Sequence, residues 1–304
     1  QNKPINEIYN KLYTLNSKVN GEAFSDDMLR TISTTYSEGD YATQQYKRDE
    51  LIRDPGLIPR ELLYMPGFVN NLSQYTLETS VVPNPTMSDS GAIAMQSMLS
   101  GRKVTDCLGT MTNMYIAALG ASASGKNAPR STNKRLAQHL GISNLLADDT
   151  ASSEGLEDAL FHRKVMLLQN DEFHHLLIAA KSKNETRFGR MMSLFKRLYS
   201  ESGDVYNCRP LARETEVRTI DSPSLTIFAT SIPKPFYSAL DASTLSDGTM
   251  SRFIVIEGAP IHRDETGGLV FADKRKDFSE EIMEAAKFWV EFNPGGSMNA
   301  MFPK

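Results

Sequence analysis

The chain is poor in the residues that would announce several kinds of protein. Only two cysteines, Cys107 and Cys208, occur in 304 residues, and they lie far apart. That excludes a disulfide framework and leaves no pair at zinc spacing. Of the five histidines, the adjacent His174 and His175 lack the companions that a metal site needs. No apolar run approaches the ~18 residues of a transmembrane helix, and no signal-peptide pattern is visible. Positive charge is not in excess either, since the net charge is −4. This excludes a protein coated in phosphate contacts, though not one that touches nucleic acid through a few loops.

What is present is ordinary globular material. Hydrophobic residues make up 40% and charged residues 23%, enough for a sizeable core. The length suits one large domain or two small ones. The chain opens on Gln1 and stops after "NPGGSMNAMFPK", and it is expected to be a piece of a longer protein.

Residues 1–54 are polar and patchy, with Ile8, Leu12, Leu15 and Val19 at helical spacing. They read as an accessory or linker segment, partly helical. Prolines then punctuate a helical lead-in over 55–110. Within it "DSGAIAMQSMLSGRKV" predicts a buried helix, capped by Ser88 or Asp89 and stopped by Gly101. From Met111 the pattern alternates. "MYIAAL", "KVMLLQN", "SLTIFATS" and "RFIVIEG" are short apolar runs suited to strands buried on both faces. "KNAPRSTNKRLAQHL" and "RFGRMMSLFKRLYSES" carry helical spacing. Residues 111–260 are therefore predicted to be an α/β core, a mainly parallel sheet flanked by helices. Residues 261–304 are read as a C-terminal helical segment that continues beyond the chain given.

Between the first strand and the first helix of that core lies "GASASGKN", Gly120–Asn127. A phosphate-binding P-loop reads G-x-x-x-x-G-K-[ST]. The match is complete but for Asn127. Its context is right: a buried strand enters, and a helix starts at the lysine, so backbone N–H groups and the helix N-terminus face a negative charge. Gly120, Ala121, Ser122, Ala123, Ser124, Gly125, Lys126 and Asn127 are the expected nucleotide contacts, with Lys126 on the outer phosphates. A small-residue turn that merely caps a helix would show the same letters.

Two further signals weigh against such a turn. In "VMLLQNDEFHH" an apolar strand ends on Asp171 and Glu172, as in a Walker B motif, and an open α/β sheet keeps its site at that end of its strands. Asp171 is the expected Mg²⁺ partner, and Glu172 the group that orients and deprotonates the attacking water. "SLTIFATS" ends in Thr230 and Ser231, and a polar end to that strand is common near the γ-phosphate in P-loop ATPases with an additional strand. ATP and Mg²⁺ are the expected ligands. Asn127 either gives its side-chain oxygen to the ion or leaves that place to a water.

With these motifs in view, residues 58–257 resemble a family of P-loop proteins found in phages, plasmids and integrated elements. Members are often fused to a primase or encoded beside one. The resemblance rests on "LSGRKV", "GASASGKNAPR", "ASSEGLEDAL", "NDEFHHLL", "LYSESGDVY", "SLTIFATSIPKPFYSAL" and "DGTMSRFIVIEG". Members show a small or acidic residue and then Ala-Pro after the loop lysine; Ala121 stands where Pro is common. The resemblance implies a replication-type helicase or translocase with a RecA-like or AAA+-like core. It also implies a hexameric ring, single-stranded DNA and a primase as partners, and the cytoplasm of a bacterial host. Such a ring takes an arginine from the neighbouring subunit, for which Arg252 is the candidate and Arg209, Arg213 and Arg218 the rivals. "GDVYNCRPLARETEVRTIDSP" reads as a hairpin with its tip near Pro210 to Arg213, where Arg209 and Arg213 are candidate DNA contacts. A nucleotide-dependent switch that never translocates is the alternative.

Overall fold

The structure is a computed structural model that describes residues 65–149, 152–181, 186–210, 217–240, 247–258 and 276–293. The helix expected over Ile8 to Val19 lies outside the described residues, as does Arg213.

Two helices lead in, α1 (Phe68–Thr79) and α2 (Pro85–Ser100). Gly101 follows α2 as expected, but α2 begins a turn earlier than Ser88 or Asp89 predicts. Asn84 is the cap: its side chain accepts the N–H of Met87. Pro85 takes the first helical position, where a missing N–H costs nothing. Asp89 instead accepts a hydrogen bond from the Ser73 hydroxyl of α1 at 2.5 Å.

The α/β core follows. Its elements in chain order are β1 (Tyr115–Leu119), α3 (Asn127–His139), β2 (Leu146–Ala147), α4 (Ser153–Arg163) and β3 (Val165–Asn170). Next come α5 (Phe173–Lys181), α6 (Thr186–Ser200), β4 (Val205–Asn207), β5 (Thr219–Asp221) and β6 (Ser224–Ser231). The last are α7 (Pro233–Ala239), β7 (Phe253–Glu257) and α8 (Glu280–Glu291). Five strands form one sheet in the order β2-β3-β6-β1-β7, and each pairing is parallel. β6 thus lies between β1 and β3. Its register pairs Leu119 with Ser231 and Asn170 with Ala229, so the carboxyl ends of β1, β3 and β6 lie nearly level. β4 and β5 pair antiparallel, Tyr206 opposite Ile220, as the hairpin pattern predicts.

Alternation along β1 fills two cores. Tyr115, Ala117 and Leu119 pack with Leu156 and Leu160 of α4, Leu177 of α5 and Phe195 of α6. Ile116 and Ala118 pack with Leu72 of α1, Met95 of α2, Leu136 of α3 and Ile282 of α8. The lead-in helices and the C-terminal helix therefore belong to one layer with α3. The described residues from Met65 on cluster as one compact unit. β7 also departs from expectation. It is the edge strand, and Ile254 and Val255 are exposed rather than buried on both faces.

α2 meets α3 at Gly91, where a Cβ would lie 2.3 Å from the Cβ of Pro129. Asn133 of α3 donates to the Gly91 carbonyl at 3.1 Å. Gly91→Ala gains ~1 kcal/mol of helix propensity but forces two backbones apart, which typically costs ~1–3 kcal/mol. The clash is with a rigid proline ring, so the net effect expected is destabilisation. Thermal unfolding should show a midpoint lowered by a few degrees; an unchanged or raised midpoint would mean that the interface yields without strain.

Candidate functional site

The loop Gly120–Lys126 joins the carboxyl end of β1 to α3. Gly125 has φ +81°, and a Cβ there would lie 2.2 Å from the Val82 carbonyl oxygen. Only glycine lets the loop lie this close to the segment before α2. Asn84 ties the two together: while it caps α2 it also donates to the Ser124 carbonyl at 3.0 Å. Ala123 takes φ +58°, and Ala121, Ser122 and Ala123 form the exposed rim. The Ser124 hydroxyl is buried without a hydrogen-bond partner.

Lys126 folds back over the start of the loop. Its Nζ donates to the carbonyls of Gly120 at 3.0 Å and Ala121 at 2.9 Å. Burial lowers its pKa, against the opposing pull of Asp171 and Glu172. The ammonium is thus held over main-chain carbonyls at the start of the loop.

β3 ends at Asn170, and the acidic pair follows. Asp171 Oδ1 accepts from the Thr230 hydroxyl at 2.8 Å and from the Glu172 N–H at 3.0 Å. Its Oδ2 lies 2.7 Å from Arg130 Nη1. Burial opposes the ionisation of Asp171, but the Thr230 hydroxyl, the Arg130 guanidinium and the Glu172 N–H outweigh it and hold the carboxyl below its ordinary pKa. Thr230 is buried on the same face of β6 as Phe228, towards α3. Glu172 is held at φ +51°, an uncommon backbone state for a non-glycine residue. Its carboxylate is exposed, with Oε2 3.3 Å from His175 Nε2. His174 turns the other way, its Nδ1 2.8 Å from the Ser231 hydroxyl, and burial lowers its pKa.

The fold therefore gathers Lys126, Asn127, Asp171, Glu172 and Thr230 at the carboxyl end of three neighbouring strands. Sequence reasoning missed three participants. Asn84 braces the loop. Arg130 donates to Asn127 Oδ1 at 3.0 Å as well as pairing with Asp171; its i,i+3 spacing from Asn127 on α3 was the available signal. The third is a cleft of ≈ 270 Å³ beside the loop, lined by Val81, Val82, Gly125, Ala128, Thr132 and Arg135. Among the described residues no three His, Cys, Asp or Glu side chains converge as a metal site.

Arg209, a candidate DNA contact, is engaged within the chain. Its guanidinium is committed to Glu157 at 2.6 Å and Asp158 at 2.9 Å, and its N–H donates to Glu157 at 3.0 Å. The Glu157 side chain is only 5% exposed, so pulling Arg209 away would leave a buried carboxylate uncompensated. Arg209 fastens the hairpin to α4. Arg218 pairs with Asp158 in the same cluster at 2.8 Å.

Arg252 lies at the amino end of β7. Its Nη1 donates to the Gly248 carbonyl at 2.6 Å, its Nη2 donates to the Ser200 hydroxyl at 3.0 Å, and its guanidinium sits 5.9 Å from the Tyr199 ring centroid.

No family model and no curated protein matches the chain. No helix among the described residues is long and apolar enough to cross a membrane.

Proposed function

We propose that the protein is an ATP-hydrolysing motor on nucleic acid, acting as a homo-oligomeric ring in the replication of a phage or mobile element. The observation that carries the nucleotide part is the Thr230–Asp171 hydrogen bond. It joins the end of the inserted strand β6 to the end of β3, level with the loop that leaves β1. A glycine-rich loop, an acidic pair and a polar strand end in that arrangement are the parts that NTP hydrolysis needs.

Backbone N–H groups of 120–127 would hold the phosphates, and Lys126 would leave the loop carbonyls for the outer ones. The adjoining cleft is large enough for a nucleobase. Asn127 Oδ1 and the Asp171 carboxylate converge on one guanidinium, so this pair of oxygens also fits a Mg²⁺ held mainly by phosphates and water. When bound, that ion would supply neutralisation of the phosphate charge. Glu172 would swing from His175 and take a proton from water as its oxygen attacks the γ-phosphorus. The bond to the β-phosphate oxygen then breaks. Ring assembly, single-stranded DNA, a primase partner and a bacterial cytoplasm follow from the family resemblance and are analogy at the level of fold and gene neighbourhood.

Lys126→Ala should abolish ATP binding with the fold intact. Calorimetric titration with ATP, alongside circular dichroism, measures both. Normal affinity in a folded variant would remove the reading.

One observation favours a second reading, a nucleotide-dependent switch that assembles without translocating. Arg209 is ion-paired within the chain, which weighs against one of the two contacts to DNA that the hairpin offered. ATP hydrolysis stimulated by single-stranded DNA would support the motor; hydrolysis or binding indifferent to DNA would support the switch.

A further inference from the structure

Arg130 is the charged side chain of the site that the motifs leave without a role. It stands three residues after Asn127 on α3, and its side chain is 14% exposed. One nitrogen, Nη1, reaches Asn127 Oδ1 at 3.0 Å and Asp171 Oδ2 at 2.7 Å. These are the two oxygens that the chain offers to a divalent ion. The other carboxylate oxygen, Asp171 Oδ1, already accepts hydrogen bonds from Thr230 and from the Glu172 N–H. The single carboxylate at this point is therefore balanced by a cation that never loses its charge. The position usually filled by Ser or Thr also matters. A hydroxyl there is a shorter ligand, whereas the longer Asn127 side chain extends to the guanidinium.

We propose that Arg130 guards metal entry. Its guanidinium and a divalent ion compete for Asp171 Oδ2 and Asn127 Oδ1, and the ion enters only with phosphates, whose charge draws Arg130 off. The inference rests on the nucleotide reading of the loop. It makes Arg130 a positioning residue that holds the Asp171 carboxylate and the Asn127 side chain aligned while no metal is present. It also makes the nucleotide-free protein a poor metal binder.

The test is a titration of Mn²⁺ into the nucleotide-free protein, with free Mn²⁺ followed by electron paramagnetic resonance. Wild type should bind weakly. Arg130→Met should bind at least ~10-fold more tightly, because it removes a positive charge that stands a few ångströms from the ion's two oxygens at a partly buried site. Adding Asp171→Asn to Arg130→Met should erase that gain. Should Arg130→Met fail to fold by circular dichroism, Arg130→Lys keeps the charge but loses the reach to both oxygens, and a smaller gain is expected. A folded variant that binds Mn²⁺ no more tightly than wild type overturns the proposal, as does a gain that survives Asp171→Asn. Because no nucleotide is present, this failure is distinct from failure of the nucleotide reading, which shows as a wild type that binds no ATP.

Discussion

Glu172→Gln is expected to bind ATP as wild type does and to hydrolyse it ~10²-fold more slowly or worse, the scale of losing a positioned base. The substitution keeps size and shape and removes only the basic oxygen. Its position argues for chemistry over architecture. The carboxylate is exposed, and among the described residues it pairs with His175, itself an exposed side chain. Neither side chain fills a core, so the change should leave the melting midpoint almost untouched. The backbone at φ +51° is a further sign, because such a conformation is retained where the surrounding structure imposes it, often at a site of function. Single-turnover phosphate release separates the two steps: binding stays and turnover falls. The same measurement on His175→Ala is the control, since freeing Glu172 from its neighbour should leave the base intact. Hydrolysis by Glu172→Gln at the wild-type rate would place the base elsewhere.

The parts of the fold legible in the sequence were those with local causes. β1, β3 and β6 are short apolar runs, and each forms within a residue or two of its expected bounds. The helix after the loop and the β4–β5 hairpin also follow their patterns. The start of α2 differs from the expected Ser88 or Asp89 although its signal is local: Asn84 is the cap and Pro85 the first helical residue. What stayed hidden depends on contacts between distant segments. The polar end of β6 hints at an additional strand, but its place between β1 and β3 follows from how the layers pack. The same holds for the candidate site. Its loop and acids are motifs, but the Thr230–Asp171 bond spans 59 residues, and the Arg209 pairs with Glu157 and Asp158 span 52 and 51. A hairpin arginine reads as free until the acidic helix face that neutralises it is in place.

Arg252 offers the second large effect, and its position defines how it could act. β7 runs parallel to β1 with Phe253 opposite Tyr115, so Arg252 stands at the amino edge of the sheet while the loop leaves the carboxyl edge. At ~3.3 Å per residue, the strand between them spans ~16 Å, further than an arginine side chain reaches. Arg252 therefore cannot reach the loop of its own chain, and in the ring proposed above it would act on the neighbouring subunit's loop. Its hydrogen bonds to Gly248 and Ser200 hold it at that edge, and at an interface they would be exchanged for phosphate oxygens. Arg252→Ala should accordingly bind ATP normally and hydrolyse it at least ~10²-fold more slowly, within the range that an arginine finger supplies. Mixing tests the direction of the donation. A subunit carrying Arg252→Ala keeps a working Lys126, and a neighbour carrying Lys126→Ala keeps a working Arg252. Each variant is inactive alone, yet a mixed interface joins one intact loop to one intact arginine. Titrating one purified variant into the other should raise phosphate release to a maximum at intermediate ratios. No recovery at any ratio, with mixed oligomers demonstrated by mass, would leave Arg252 as a local brace between Gly248, Ser200 and Tyr199. Chemistry would then be complete within one subunit, as a switch requires and a ring motor does not.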